Sequence, residues 1–338
     1  MDEIKLHLTT PLERTVPSGN GTAAAPAAIM PRTHTHSPRT PELIAALLRA
    51  LREKGILYCH WKSNWKIDRW LMGDGDLDLL VSRSDVAKFI AVISQLGFKR
   101  GLLPPRRELP GVLNYYGYDV HSQMLIHIHA HSQLVLGHDA TKNYRIPIER
   151  QIIETAVHNG PIPVTSPEIE LALFVIRMTL KYSLAEETAR GLSRRSNLLH
   201  KAAIRDEIEY LQRKVDPVRF YDVLRRVFPT VDRILFDDCL NSLISNASPG
   251  ESIRVKRRLE KCLTSLSRAS RIREGIRRLR YHSSAVANKF VFKTTVRKRL
   301  ESGGCLIAIV GGDGSGKSTC VKELNKWLGK KFESKSTH

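Results

Sequence analysis

Among 338 residues only five are cysteines (59, 239, 262, 305 and 320), and no two stand in a C-x-x-C spacing. That excludes a zinc-ribbon or disulfide framework and fits reduced thiols in a cytoplasmic protein. Nowhere does an apolar run approach the roughly 20 residues that a membrane-spanning helix needs. Residues 23–28 are alanine-rich but broken by Pro26, so the layout of a secretory signal is missing. Aromatic residues make up 7% of the chain, too thin a supply for a base-stacking surface. Acids are scarce as well: 34 Asp and Glu stand against 54 Lys and Arg, a formal charge of +20.

An apolar content of 42% is that of a globular chain, with material for two or three domains. The cations are unevenly spread. Between residues 251 and 300 there are sixteen Lys and Arg against three acids. Such a patch attracts nucleic acid or an anionic membrane surface through residues 254–299, which makes peripheral attachment to a membrane one expectation. A solvated helical connector is the other.

The pattern divides the chain into five parts. Residues 1–40, rich in Pro, Thr, Ala and Ser, read as a disordered tail. Residues 41–150 alternate helix and strand. Leu43, Ile44, Leu47, Leu48 and Leu51 line one helical face ending at Gly55, and residues 56–61 and 76–82 read as strands. A second helix runs from Val86 to a stop at Gly97, and residues 112–120 and Met124–His131 form two more strands joined by a turn. Residues 151–250 are helical, opening at Ser166-Pro167, interrupted at Asp216-Pro217 and Phe228-Pro229, and closed by a linker at 246–250. Residues 251–302 read as a basic helical connector, with Leu259, Leu263, Leu266, Ile272, Ile276 and Leu279 on one face. Residues 303–338 open another α/β unit.

That last part carries the sharpest motif. Gly311-Gly312-Asp313-Gly314-Ser315-Gly316-Lys317-Ser318-Thr319 satisfies G-x-x-x-x-G-K-[ST]. The apolar run 305–310 reads as a buried strand before it, and Val321, Leu324, Trp327 and Leu328 read as a helix after it. The glycines Gly311, Gly314 and Gly316 let successive N–H groups converge on a phosphate, with Ser315 and Thr319 beside them. Lys317 reaches the β/γ-phosphates, and the Ser318 hydroxyl ligates Mg²⁺. ATP and Mg²⁺ are therefore the expected cofactors. Only nineteen residues follow Thr319, so the unit reads as a truncated P-loop kinase domain.

A second constellation lies nearer the N-terminus. In Asp76-Leu77-Asp78 the two carboxylates share one strand face, about 7 Å apart, as a pair that holds Mg²⁺ for phosphoryl chemistry. His127, His129 and His131 alternate on a later strand, where imidazoles are candidate metal ligands or the lining of a polar groove.

The loop 311–319 resembles that of thymidylate kinases, a resemblance covering about residues 303–330. It implies that Asp313 helps hold the sugar of a nucleoside monophosphate. Lys62-Ser63 followed by Asp76-x-Asp78 resembles the nucleotidyltransferase fold of DNA polymerase beta and the aminoglycoside nucleotidyltransferases. Lysine replaces the family's glycine before Ser63, and histidines stand where its third acid belongs. The stretches 58–64, 75–78, 127–137 and 145–147 together resemble bacterial fusions of a nucleotidyltransferase-like domain, a helical region and a thymidylate-kinase-like domain.

The expected fold class is thus α/β: an α+β nucleotidyltransferase-like N-terminal domain, a helical middle region and the start of a P-loop α/β domain. The leading functional expectation is an ATP-dependent phosphotransferase acting on a small-molecule acceptor through Lys317. The alternatives are nucleotidyl transfer through Asp76 and Asp78, with His127 and His129 as further ligands, or a basic binding protein whose nucleotide folds are vestigial.

Overall fold

The computed structural model describes residues 40–104, 107–139, 141–183, 194–245, 247–290 and 297–336. The expected disordered tail, Thr40 excepted, lies outside the described residues.

Helix α1 (Glu42–Glu53) buries Ile44, Leu47, Leu48 and Leu51, the face its periodicity requires. Pro41 stands at its N-cap and supplies no side-chain acceptor. Asp119 supplies one from 76 residues away: its Oδ2 accepts the Leu43 N–H at 2.8 Å. A helix terminus leaves orphan donors, and here a strand end satisfies one of them. Helices α2 (Ile67–Leu71) and α3 (Val86–Gln95) complete this side, with Phe89 and Ile93 buried.

These helices flank a six-stranded mixed sheet in the order β1-β2-β5-β4-β3-β8. Its members are β1 (Tyr58–His60), β2 (Asp76–Val81), β3 (Lys99–Leu102), β4 (Val112–Asp119), β5 (Met124–His131) and β8 (Arg299–Leu300). β4 and β5 form the expected hairpin, with Gln123 at φ 56° in its turn. β2 and β5 run parallel, and their register sets Asp76 opposite His127 and Asp78 opposite His129. Alternation sends Leu77, Leu79, Ile126 and Ile128 into the core under α1 and α3. The acids and histidines are left on the opposite face.

That opposite face meets the helical region. Two short strands, β6 (Leu134–Leu136) and β7 (Tyr144–Ile146), pair with each other, and α4 (Glu149–Glu154) follows. Helix α5 (Pro167–Lys181) is apolar nearly all round and accordingly lies buried, from Ile169 to Leu180. Its expected cap is only half realised: Pro167 opens the helix, but the Ser166 side chain makes no capping bond. Around α5 pack α6 (Arg194–Lys214), α7 (Pro217–Val227) and α8 (Arg233–Ile244). Asp216 and Asp232 cap the last two by accepting from Val218 N–H at 2.9 Å and Leu235 N–H at 2.7 Å. Both proline interruptions therefore fall between helices, as expected.

Three expectations change. The linker at 246–250 gives way at Ser248, which caps α9 (Pro249–Cys262) by accepting from the Glu251 N–H. This helix is no connector. Val255, Leu259 and Leu263 are buried in the same core as Leu171 and Phe236, because the cations occupy the other face. The next helix, α10 (Arg271–Phe290), is different: Ile272, Ile276 and Leu279 are exposed. The third change concerns the run 305–310, which forms no strand and leaves Leu306, Ile307 and Val310 exposed. A strand exists only through pairing, and no described strand pairs with this run. The helix after the loop does form, as α11 (Lys317–Leu328), though none of its side chains is fully buried.

Candidate functional site

The phosphate-loop candidate is a turn held by its own backbone. Gly314 and Gly316 adopt φ of 77° and 82°, left-handed geometry that glycine takes without strain. A Cβ on Gly311 would come within 2.9 Å of the Ser315 hydroxyl, which a rotation of that side chain would relieve. Gly316 caps α11, which starts at Lys317. The Lys317 ammonium donates to the carbonyls of Gly311 at 2.8 Å and Gly312 at 2.5 Å, bending its stem over the loop. Ser318 and Thr319 occupy the first turn of α11, whose N-terminus favours negative charge. Asp313 is fully exposed, with its carboxylate 4.0 Å from Lys317. These residues fit a phosphate group: the turn is glycine-dependent, cationic and open.

The second site is built on β2 and β5. The His127 ring donates through Nδ1 to Asp76 Oδ1 at 2.6 Å and stacks on Tyr116 with ring centroids 4.4 Å apart. Two steps along, Asp78 Oδ1 lies 2.9 Å from His129 Nδ1 and 3.5 Å from His131 Nε2, and the two ring nitrogens are 3.3 Å apart. Ligands at 2.0–2.1 Å in a tetrahedral zinc site stand about 3.3 Å from one another. The triangle Asp78, His129, His131 therefore has the edges of one tetrahedral face. His131 is pushed down to about 3 by burial, against the opposing pull of Asp78, and so keeps its lone pair at neutral pH. Burial would raise Asp78, but the Lys62 ammonium and the two histidines hold it well below the usual carboxylate range. Lys62 binds the same oxygen at 2.8 Å, so a metal ion would compete with it.

The expected ligand set is thus redistributed. Asp76 and Asp78 share a face but take different partners, and His127 belongs with Asp76. His131, which alternation placed on the same face as His127 and His129, completes the triangle. Two imidazoles and a carboxylate suit Zn²⁺ or Mn²⁺ better than the Mg²⁺ expected for paired acids.

Several contributors carried no signal in the sequence. Lys298 donates to Asn114 Oδ1 at 2.8 Å and to the Tyr116 hydroxyl at 2.7 Å. Lys331 approaches Asp76 at 3.5 Å, and the ring of Phe332 meets Tyr116 edge-on at 4.6 Å. The chain beyond α11 thereby lies against the Asp76 end of the site. The loop 311–319 stands at the other end of α11, which is about 17 Å long. Glu170 could have been found: it is the lone acid in the apolar stretch of α5. It accepts from Asn64 N–H at 2.8 Å and Asn64 Nδ2 at 2.7 Å, fixing the turn that carries Lys62 and Ser63. Ser63 itself sits at φ 55°, where the resembled family has a neighbouring glycine.

The sheet and its helical partner define a mixed α/β protein with two separate polar sites. No protein-family model, curated protein or solved structure matches the chain. Among the described residues no helix is long and apolar enough to cross a membrane.

Proposed function

We propose that this protein binds a nucleoside triphosphate through the loop 311–319 and belongs to the phosphotransferases of the nucleotide-kinase type. The supporting observation is the left-handed curl at Gly314 and Gly316, with the Lys317 ammonium folded back onto the Gly311 and Gly312 carbonyls. In this reading Lys317 leaves its two carbonyls for the β/γ-phosphates, so the backbone donors of the loop and the cation act on one anion. Ser318 would hold the Mg²⁺ that accompanies ATP, which would supply charge neutralisation at the phosphates. Asp313, fully exposed, reaches toward the sugar of the acceptor. Titration with a fluorescent ATP analogue tests this: Lys317→Ala should weaken binding at least about tenfold, the loss of one charge-assisted contact. Unchanged affinity would remove the reading.

A second reading rests on the tetrahedral edges of Asp78, His129 and His131. There Asp78, His129 and His131 would hold a transition metal, which would supply polarisation of a phosphoryl group for nucleotidyl transfer. Zn²⁺ titration of the full chain should show one tight site that His131→Ala weakens by about 10- to 100-fold. A variant that binds as tightly as the parent excludes it.

A further inference from the structure

Helix α10 is anchored by one side. Glu274, in its first turn, is buried, and its carboxylate accepts from Thr141 Oγ1 at 3.1 Å and Asn143 Nδ2 at 3.0 Å. Asn143 also accepts from the Ala269 N–H at 3.0 Å, locking the approach to the helix. At 3.6 residues per turn, Ile272, Ile276 and Leu279 fall within an arc of about 60° almost directly opposite Glu274. Their exposures follow from that geometry: 77%, 45% and 71%. Arg273, Arg277 and Arg280 run along one flank of this row, and Arg271 along the other.

The neighbouring helix extends the same surface. Arg254, Arg257, Arg258, Lys261 and Arg271 line an open groove of about 490 Å³. The α9 residues in it recur at three- and four-residue spacing, on the side opposite the buried Val255 and Leu259. Arg258 is paired with Asp238.

We propose that this face docks the protein on an anionic lipid bilayer. Ile272, Ile276 and Leu279 enter the acyl boundary while the flanking arginines and the α9 groove hold lipid phosphates. Charge complementarity explains the groove, and the aliphatic row explains why a bilayer fits better than nucleic acid. A phosphodiester backbone would satisfy the arginines yet leave three aliphatic side chains in water. Single-stranded bases would want aromatic faces, and Ile272, Ile276 and Leu279 offer none.

The test is co-sedimentation of the full chain with vesicles of phosphatidylcholine alone and with about one-third phosphatidylglycerol added. Binding should require the anionic lipid and fall as salt rises. The double variant Ile272→Asp, Leu279→Asp should lower partitioning at least about tenfold, and Arg254→Ala with Arg257→Ala should lower it and reduce its salt dependence. All four side chains are on the surface, and circular dichroism checks that the variants fold. Three results would overturn the proposal. One is no binding to anionic vesicles. Another is binding that ignores the aspartate substitutions while short RNA competes it away, which makes the partner nucleic acid. The third is a mass by light scattering that halves in the aspartate variant without any vesicle binding, which makes the row an interface between copies of this chain.

Discussion

Glu170 shows how a buried carboxylate can bind structure to pH. Burial raises it to about 7 from an ordinary 4.5, against the opposing hydrogen bonds from Asn64. The folded chain therefore keeps a proton that the unfolded chain releases between these values. Its contribution to stability is complete below pH 4.5 and is lost as the pH rises through 7. Glu170→Gln removes the titration, so the parent should lose stability relative to the variant across that window, by roughly 1–3 kcal/mol. Urea midpoints at about pH 5 and about pH 8 measure the difference. Equal gaps at both values would mean that Glu170 is ionised throughout. At this same scale the sequence was legible for Asp76, Asp78 and the histidines, because alternation assigns strand faces without knowledge of partners. It was silent on which acid meets which histidine, since that depends on the parallel pairing of β2 with β5.

Among the elements, α9 separates reading from outcome most clearly. Sixteen cations between 251 and 300 suggested one continuous basic connector. Charge density along a chain cannot distinguish a solvated helix from one whose other face is buried. The discriminating residues were Val255, Leu259 and Leu263, whose spacing was visible but whose partners in α5 and α8 were not. If α9 belongs to the core, Leu259→Ala should destabilise the fold by about 2–5 kcal/mol, the range for truncating a fully buried leucine. A loss below about 0.5 kcal/mol, the range for surface substitutions, would restore the connector. The run 305–310 makes the converse point. Its apolar pattern is that of a buried strand, yet pairing decides whether a strand forms, and no described strand lies alongside it.

For the whole molecule, the outlines of the sheet and of the helical region were readable from periodicity and proline punctuation. The second core was not, because Cys59 in β1 and Trp61 just after it fill it together with Leu173 and Phe236 from the helices, across the expected boundary at 150. Nor was the return of the chain beyond α11, where Lys331 and Phe332 reach Asp76 and Tyr116. The two candidate sites stand on different elements, one on β2 and β5 and the other at the start of α11, and should act independently. Zinc affinity should be unchanged by Lys317→Ala, and ATP affinity by His131→Ala; calorimetry on both variants checks this. Whether the loop 311–319 reads phosphates is decided by a calorimetric titration with ATP, ADP and adenosine in Mg²⁺. ATP and ADP should bind saturably, adenosine more weakly by at least about a hundredfold, and Lys317→Ala should lose that preference. Equal binding of all three ligands, or a preference that survives Lys317→Ala, would contradict phosphate reading by this loop.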